Sequence, residues 1–230
     1  MNKPTVDVQI WSDVMCPWCA IGYAQYEKAL AQLGDDVAVE TRFMPFELNP
    51  DLPPEGKDQQ KHLAEVYQRS PEETAEMRKR LMDAADRAGF AMQWSGEGNE
   101  PAAMMWNTFA AHELLRWALA TEGAEAQARL KMALLRAHFQ QRRAIGEREV
   151  LLDIAEEEGL DRAEAAAALD EEALAIATRM EEKRGLEMGI NSVPSFIVGG
   201  RYLIPGAQEP AVFAATLRKV AEMAEANAVA

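Results

Sequence analysis

Cys16-Pro17-Trp18-Cys19 limits what this chain can fold into more than any other stretch. These are the only two cysteines in the sequence. A short apolar run, Val6 to Trp11, precedes them, and a helix-like run, Ile21 to Leu33, follows. A lone C-x-x-C pair at a strand-to-helix junction reads as a redox dithiol. At the first turn of a helix a sulfur faces unpaired backbone N–H groups and the positive end of the helix dipole. Both favour thiolate, the nucleophilic form. Pro17 suits the first helical position, where its missing N–H would have no partner. Cys19, one turn further in, is placed to close an intramolecular disulfide. Three plainer readings compete. Packing cysteines would rarely fall at this spacing with proline between them. A zinc half-site needs two more ligands, and His62, His112 and His138 are dispersed. A structural disulfide across so small a loop would restrict little chain entropy.

The elements around the motif set the fold class. Val6-Asp7-Val8-Gln9-Ile10 alternates apolar and polar, as a strand does. Ala20 to Leu33 is helical, with Gly34 as its stop, and Val37 to Met44 is a second strand. The motif therefore stands at the carboxyl end of the first strand, where open α/β sheets place their ligands. Pro45 to Gly56 is a proline-rich connection. From Gln59 to about Leu186 the pattern is helical almost throughout. Ser70-Pro71-Glu72-Glu73 is a capping box, with proline at the first helical position, opening a helix that runs to Ala88 before Gly89. Glu97 to Pro101 is a loop. Trp106, Phe109, Ala110, Leu114 and Trp117 mark one apolar helical face, and Leu130, Ala133, Leu134 and Ala137 another. Shorter acidic helices span Glu149 to Glu158, Arg162 to Leu169 and Glu171 to Arg184. Ser192 to Val198 and Arg201 to Ile204 then read as a hairpin turning at Gly199-Gly200, and Glu209 to Ala226 as a closing helix.

The order is β-α-β, a helical block, then β-β-α. Without the block this is an α/β, thioredoxin-like fold. The block is a helical insertion, because a structureless connection of that length is implausible in a compact domain. The expected division is a discontinuous thioredoxin-like domain, 1–56 and 187–230, around a helical domain, 57–186.

Charge narrows the partners. Lys and Arg total 24 against 38 Asp and Glu, a net charge of −14, which repels nucleic-acid phosphates. Met1-Asn2-Lys3-Pro4-Thr5 lacks the apolar stretch of a secretory signal, and no run approaches a membrane span. The expectation is a cytoplasmic protein whose disulfide is transient rather than structural.

Three stretches together resemble a known family: Ser12-Asp13-Val14-Met15-Cys16-Pro17-Trp18-Cys19, Pro45-Phe46-Glu47-Leu48-Asn49-Pro50, and Gly189-Ile190-Asn191-Ser192-Val193-Pro194-Ser195-Phe196. Gly206-Ala207-Gln208 adds to them, as more weakly do Asn107-Thr108 and Ala111-His112. The chain resembles the DsbA-like thioredoxin-fold oxidoreductases, within them the FrnE-like branch, related to 2-hydroxychromene-2-carboxylate isomerase-like proteins. The resemblance implies thiol-disulfide exchange on protein, peptide or small-thiol partners. Cys16 would be the attacking thiol and Cys19 the resolving one. Pro17, Trp18, Val193 and Pro194 would form the substrate site, with a cis bond at Val193-Pro194 that leaves the Val193 backbone to pair with an extended substrate. No bound cofactor and no metal are expected, with glutathione as a candidate reductant or co-substrate. Strong oxidants of the family carry His where this chain has Trp18. Trp18 holds no positive charge, and Asp13 is acidic, so a weaker oxidant is expected.

Other residues are read more plainly. Met104-Met105-Trp106 suits a helix core better than an adaptable substrate groove. His112 follows an apolar face and reads as a hydrogen-bonded core histidine. Glu47 reads as a solvated loop carboxylate rather than a proton shuttle to Cys19, and His138 has no assigned role. Two rival functions remain. One is a glutathione-dependent isomerase or transferase, for which Cys19 would be dispensable. The other is a binding protein or holdase, for which both cysteines would be.

Overall fold

The fold, a computed structural model, describes residues 5–67 and 70–229. The Met1-to-Pro4 part of the N-terminal stretch and, within the helical block, Gln68 and Arg69 lie outside the described residues. The chain opens with β1 (Thr5–Ser12), α1 (Pro17–Leu33) and β2 (Ala38–Pro45). The helical block follows, with β3 (Lys57–Asp58), α2 (Gln59–Tyr67), α3 (Pro71–Ala88), β4 (Met104–Met105), α4 (Phe109–Glu122) and α5 (Ala124–Phe139). It continues through α6 (Arg148–Glu157), α7 (Arg162–Leu169) and α8 (Glu172–Glu187). The chain then returns as β5 (Ser195–Val198), β6 (Tyr202–Pro205) and α9 (Pro210–Val229).

The main sheet has the order β2-β1-β5-β6. β1 and β2 run parallel from Thr5↔Ala38 to Ser12↔Pro45, so α1 is the crossover between them. β5 runs antiparallel to β1, and β6 to β5. Both turn residues of that hairpin, Gly199 and Gly200, have positive φ (58° and 65°). Only a backbone without Cβ adopts that readily, and it matches the twist of the strands. The alternation in β1 buries Val6, Val8 and Ile10 against α1 and α9, where Tyr26, Phe196, Phe213 and Leu217 complete one apolar cluster. Phe196 and Phe213 meet edge-on with centroids 4.6 Å apart, a geometry aromatic rings favour. On the opposite face Trp11 packs with Met44, Ile190 and Ile197. Gly185 of α8 lies so close that an added Cβ would stand 2.4 Å from the Trp11 ring.

The helices form a second cluster around Leu114, Leu130, Leu134, Ile145 and Leu151, which also takes in Val14 and Met15 just before Cys16. The capping box forms as written: Ser70 Oγ accepts the Glu73 N–H at 3.2 Å, and Glu73 accepts the Ser70 N–H at 2.9 Å. α3 ends at Gly89 with φ 77°, a left-handed stop.

Met104-Met105-Trp106 departs from expectation. Met105 and Trp106 are buried, 7% and 8% exposed, but not in a helix. Met104 and Met105 form a short antiparallel ribbon with Asp58 and Lys57. The Trp106 N–H goes to the Met15 sulfur at 2.9 Å, and Asn107 Oδ1 takes the Phe109 N–H at 3.0 Å. These non-helical partners hold the backbone extended until Phe109, where α4 begins.

β2 forms one edge of the main sheet. Gln127 of α5 covers that edge at Phe43, accepting its N–H at 2.8 Å and donating to its C=O at 2.9 Å. Gln127 is 1% exposed, so its amide acts as a short stretch of neighbouring strand inside the protein.

Candidate functional site

Cys16 is the N-cap residue of α1, with extended backbone (φ −82°, ψ 114°), and Pro17 follows at the first helical position. No side chain caps this end, and the first turn holds no acidic residue. Nothing acidic there competes with a sulfur for the positive end of the dipole. The Cys19 N–H bonds to the Cys16 C=O at 3.0 Å, which starts the helix and sets the second sulfur one turn in. Both cysteines are free thiols. Cys16 is 4% exposed and Cys19 2%, while Trp18 between them is 41% exposed.

The loop before β5 closes over this helix end. The Val193-Pro194 peptide is cis. Cys16 Sγ lies 3.7 Å from the Val193 carbonyl oxygen, to which its S–H donates. Pro194 is fixed from two sides. Its carbonyl accepts the Gly206 N–H at 2.8 Å. Its ring lies against Gly22 of α1, where an added Cβ would come within 2.8 Å of Pro194 Cγ. The structure thus brings together Cys16, Pro17, Cys19, Val193 and Pro194, with Trp18 standing out from them into solvent.

Beneath the thiols lies a charged layer. Asp13 is fully buried. Its Oδ1 accepts the Met15 N–H at 3.2 Å and its Oδ2 the Leu48 N–H at 2.8 Å. His112 Nε2 stands 3.7 Å from Oδ1, a close ion-pair distance but beyond a hydrogen bond. Burial works to raise the Asp13 carboxyl, yet His112, the Leu48 N–H and Lys131 hold it below its usual range. Burial, then the neighbouring Cys16 sulfur, push the Cys19 thiol well above its ordinary value, and Lys131 pulls the other way. Lys131 is 1% exposed, with Nζ 3.5 Å from the Ser12 carbonyl and 5.6 Å from the Phe43 ring centre. Burial brings it down to about 8, against the pull of Cys19, Asp13 and Cys16.

Reading the sequence missed Lys131 and Gln127. The signal was present: Gln127, Lys131 and His138 fall at spacings of four and seven, one face of α5. All three are 5% exposed or less. Polar side chains in a row on a buried helix face need partners inside the protein.

The expectation for Glu47 fails. Its side chain is 3% exposed and pairs with Arg179 of α8. Arg179 also reaches Glu182 at 2.8 Å and covers the Phe109 ring at 3.5 Å. The carboxylate is drawn inward because α8 packs across the end of β2 and brings the guanidinium with it. His112 is core, as expected, but its Nε2 makes no hydrogen bond among the described residues.

His138, given no role from sequence, carries a stability consequence. It is buried edge-on against Phe139, with ring centroids 4.6 Å apart. Burial, then the nearby Arg142, lower it from 6.5 to about 4. Between those values the unfolded chain binds a proton that the folded chain refuses, so stability falls as pH drops through that window. The expected loss is about 3 kcal/mol for this group. Urea titrations at pH 6.5 and 4.5 should show a smaller acid loss in His138→Gln than in wild type, and an equal loss would refute the assignment.

Similarity to known proteins agrees with this geometry. Residues 7–218 match the DSBA-like thioredoxin domain family. The uncharacterized protein YwbO of Bacillus subtilis (strain 168) is 31% identical over 211 residues, 91% of this chain and 94% of that protein. A probable DsbA oxidoreductase from Streptomyces coelicolor superimposes with a TM-score of 0.80 at 30% identity, over 93% of this chain and 89% of that one. The cytosolic disulfide reductase DsbM from Pseudomonas aeruginosa, solved with GSH, gives 0.63 at 19% identity, over 93% and 98%.

Proposed function

Because this chain belongs to the DSBA-like thioredoxin domain family, we propose that it exchanges disulfides through Cys16 and Cys19 on protein, peptide or small-thiol substrates. One observation carries the reading: the Cys16 sulfur stands at an uncapped helix start, 3.7 Å from the carbonyl that precedes the cis proline. A helix start favours thiolate. The adjoining loop offers backbone beside the sulfur, where an extended chain can lie.

In the proposed cycle the Cys16 thiolate attacks a substrate disulfide. A Cys16–substrate S–S bond forms, and the other substrate sulfur leaves as thiolate and takes a proton from water. Cys19, as thiolate, then attacks the Cys16 sulfur. The internal disulfide forms, and the second substrate sulfur leaves and is protonated. The substrate gains two electrons, the protein loses two, and the reverse order oxidises a dithiol. Trp18, 41% exposed beside Cys16, offers an apolar surface to the incoming chain.

The same reading assigns the strands, α1 and α9 to a thioredoxin-like domain, 1–56 and 187–230, and 57–186 to a helical insertion. One apolar cluster has all its buried members within 1–56 and 187–230, which supports that division, while Val14, Met15, Leu52, Ala20 and Ile21 pack across it. No helix among the described residues is long and apolar enough to cross a membrane. A cytoplasmic setting, with glutathione as reductant, fits the likeness to the cytosolic reductase solved with GSH. The test is direct. Reduced protein mixed with oxidised glutathione should lose two free thiols and gain an internal disulfide, while Cys16→Ser gains none. Wild type that keeps both thiols under excess oxidised glutathione would refute the reading.

A further inference from the structure

Lysine is seldom found away from water, because burying its charge is costly unless something answers it. Lys131 is 1% exposed and comes from α5, outside the strands and helix that carry the dithiol. Its ammonium is anchored 3.5 Å from the carbonyl of Ser12, the last residue of β1. The groups facing it come from several elements. The loop after β1 gives Asp13, and the start of α1 gives Cys16 and Cys19, next to Ala20 and Ile21, against which Leu135 of α5 packs. β2 presents the Phe43 ring rather than a charge. α4 gives His112, which lies against Asp13, and α5 itself gives His138, which also senses Asp13. Lys131 is the cation that eases ionisation of Cys19, whose burial opposes it.

We propose that Lys131 is a positioning residue for the resolving step: its buried positive charge stabilises the Cys19 thiolate as that sulfur attacks the Cys16–substrate disulfide. This rests on the exchange reading above and gives the helical insertion a part in it. Cys19 gives its proton to water. The Cys16–Cys19 bond forms, the Cys16–substrate bond breaks, and the substrate sulfur leaves with the electron pair and is protonated by water. Lys131 keeps its own proton throughout. With a value of about 8, it is mostly charged at neutral pH.

Ellman's reagent separates the two half-reactions, because attack by Cys16 releases one coloured thiolate and resolution by Cys19 a second. Lys131→Met should slow the second release at least about 10-fold more than the first at pH 7, the effect of one unit in Cys19 ionisation. Its rate–pH profile should move upward by about one unit and approach that of wild type above pH ~9, where Lys131 is itself neutral. Lys131→Arg, which keeps the charge, should restore part of the rate. A folded Lys131→Met whose second release matches wild type from pH ~6 to ~9 overturns the proposal. If the Met variant does not fold, wild type labelled with 13C-lysine serves instead. The Lys131 midpoint should fall when oxidation removes the two ionisable sulfurs that favour its charged form, and equal midpoints in the two states would overturn the proposal. Wild type with no second release would overturn the exchange reading itself, and this one with it.

Discussion

If the proposed exchange runs through both cysteines, Cys19→Ala should convert the protein into a trap. Cys16 still attacks, the mixed disulfide forms, and nothing inside the molecule releases it. Well-oriented intramolecular groups act at effective concentrations far above those of external thiols, so turnover should fall by at least about 100-fold. The substitution is mild for the fold. Cys19 is 2% exposed in a packed helix start, and losing one buried sulfur costs about 1 kcal/mol. Intact mass under non-reducing conditions should show a stoichiometric adduct on Cys16 with a disulfide-bonded peptide, and none with Cys16→Ser. The contrast also separates the rival functions. A glutathione-dependent isomerase would work equally well without Cys19, and a holdase would suppress client aggregation with both cysteines replaced by Ser. Unchanged turnover in Cys19→Ala would decide against the dithiol.

Gln127→Leu is expected to destabilise the fold by several kcal/mol. The Gln127 amide satisfies both the N–H and the C=O of Phe43. Leucine fills similar volume and satisfies neither. Each unpaired buried group costs about 1–3 kcal/mol, so the pair costs roughly 2–6 kcal/mol, a large share of a domain's usual stability of about 5–15 kcal/mol. Chemical denaturation should show a lower midpoint, with a slope that reports whether the edge of the sheet has loosened. A Leu variant with the wild-type midpoint would mean that Phe43 finds other partners. Because α5 also carries Lys131, loosening it should disturb the dithiol as well as the sheet.

What sequence could reveal follows from how far each feature reaches along the chain. The motif, the capping box at Ser70 and the Gly199-Gly200 turn are set by residues within a few positions, and all three formed as expected. Gly206-Ala207-Gln208 and the cis proline loop came through resemblance rather than spacing. The misplaced or missed residues depend on distant partners. Trp106 meets Met15 across 91 positions, Gln127 meets Phe43 across 84, and Lys131 meets Ser12 across 119. Glu47 meets Arg179 across 132. A loop glutamate gives no local sign that a helix will later cover it. A run such as Met104-Met105-Trp106 is apolar enough for either helix or ribbon. Only its neighbours' use of the backbone decides between them.

Gly22 has a consequence for how this fold diverges or is redesigned. The Pro194 ring fills the space that a side chain at position 22 would need. The exposed loop residues Asn191 and Ser192 have room for other side chains, but the helix position beneath the loop does not. A methyl group there would lever the proline off its seat and carry the Val193 carbonyl away from Cys16. The height of the loop above the thiol is therefore set by one missing carbon.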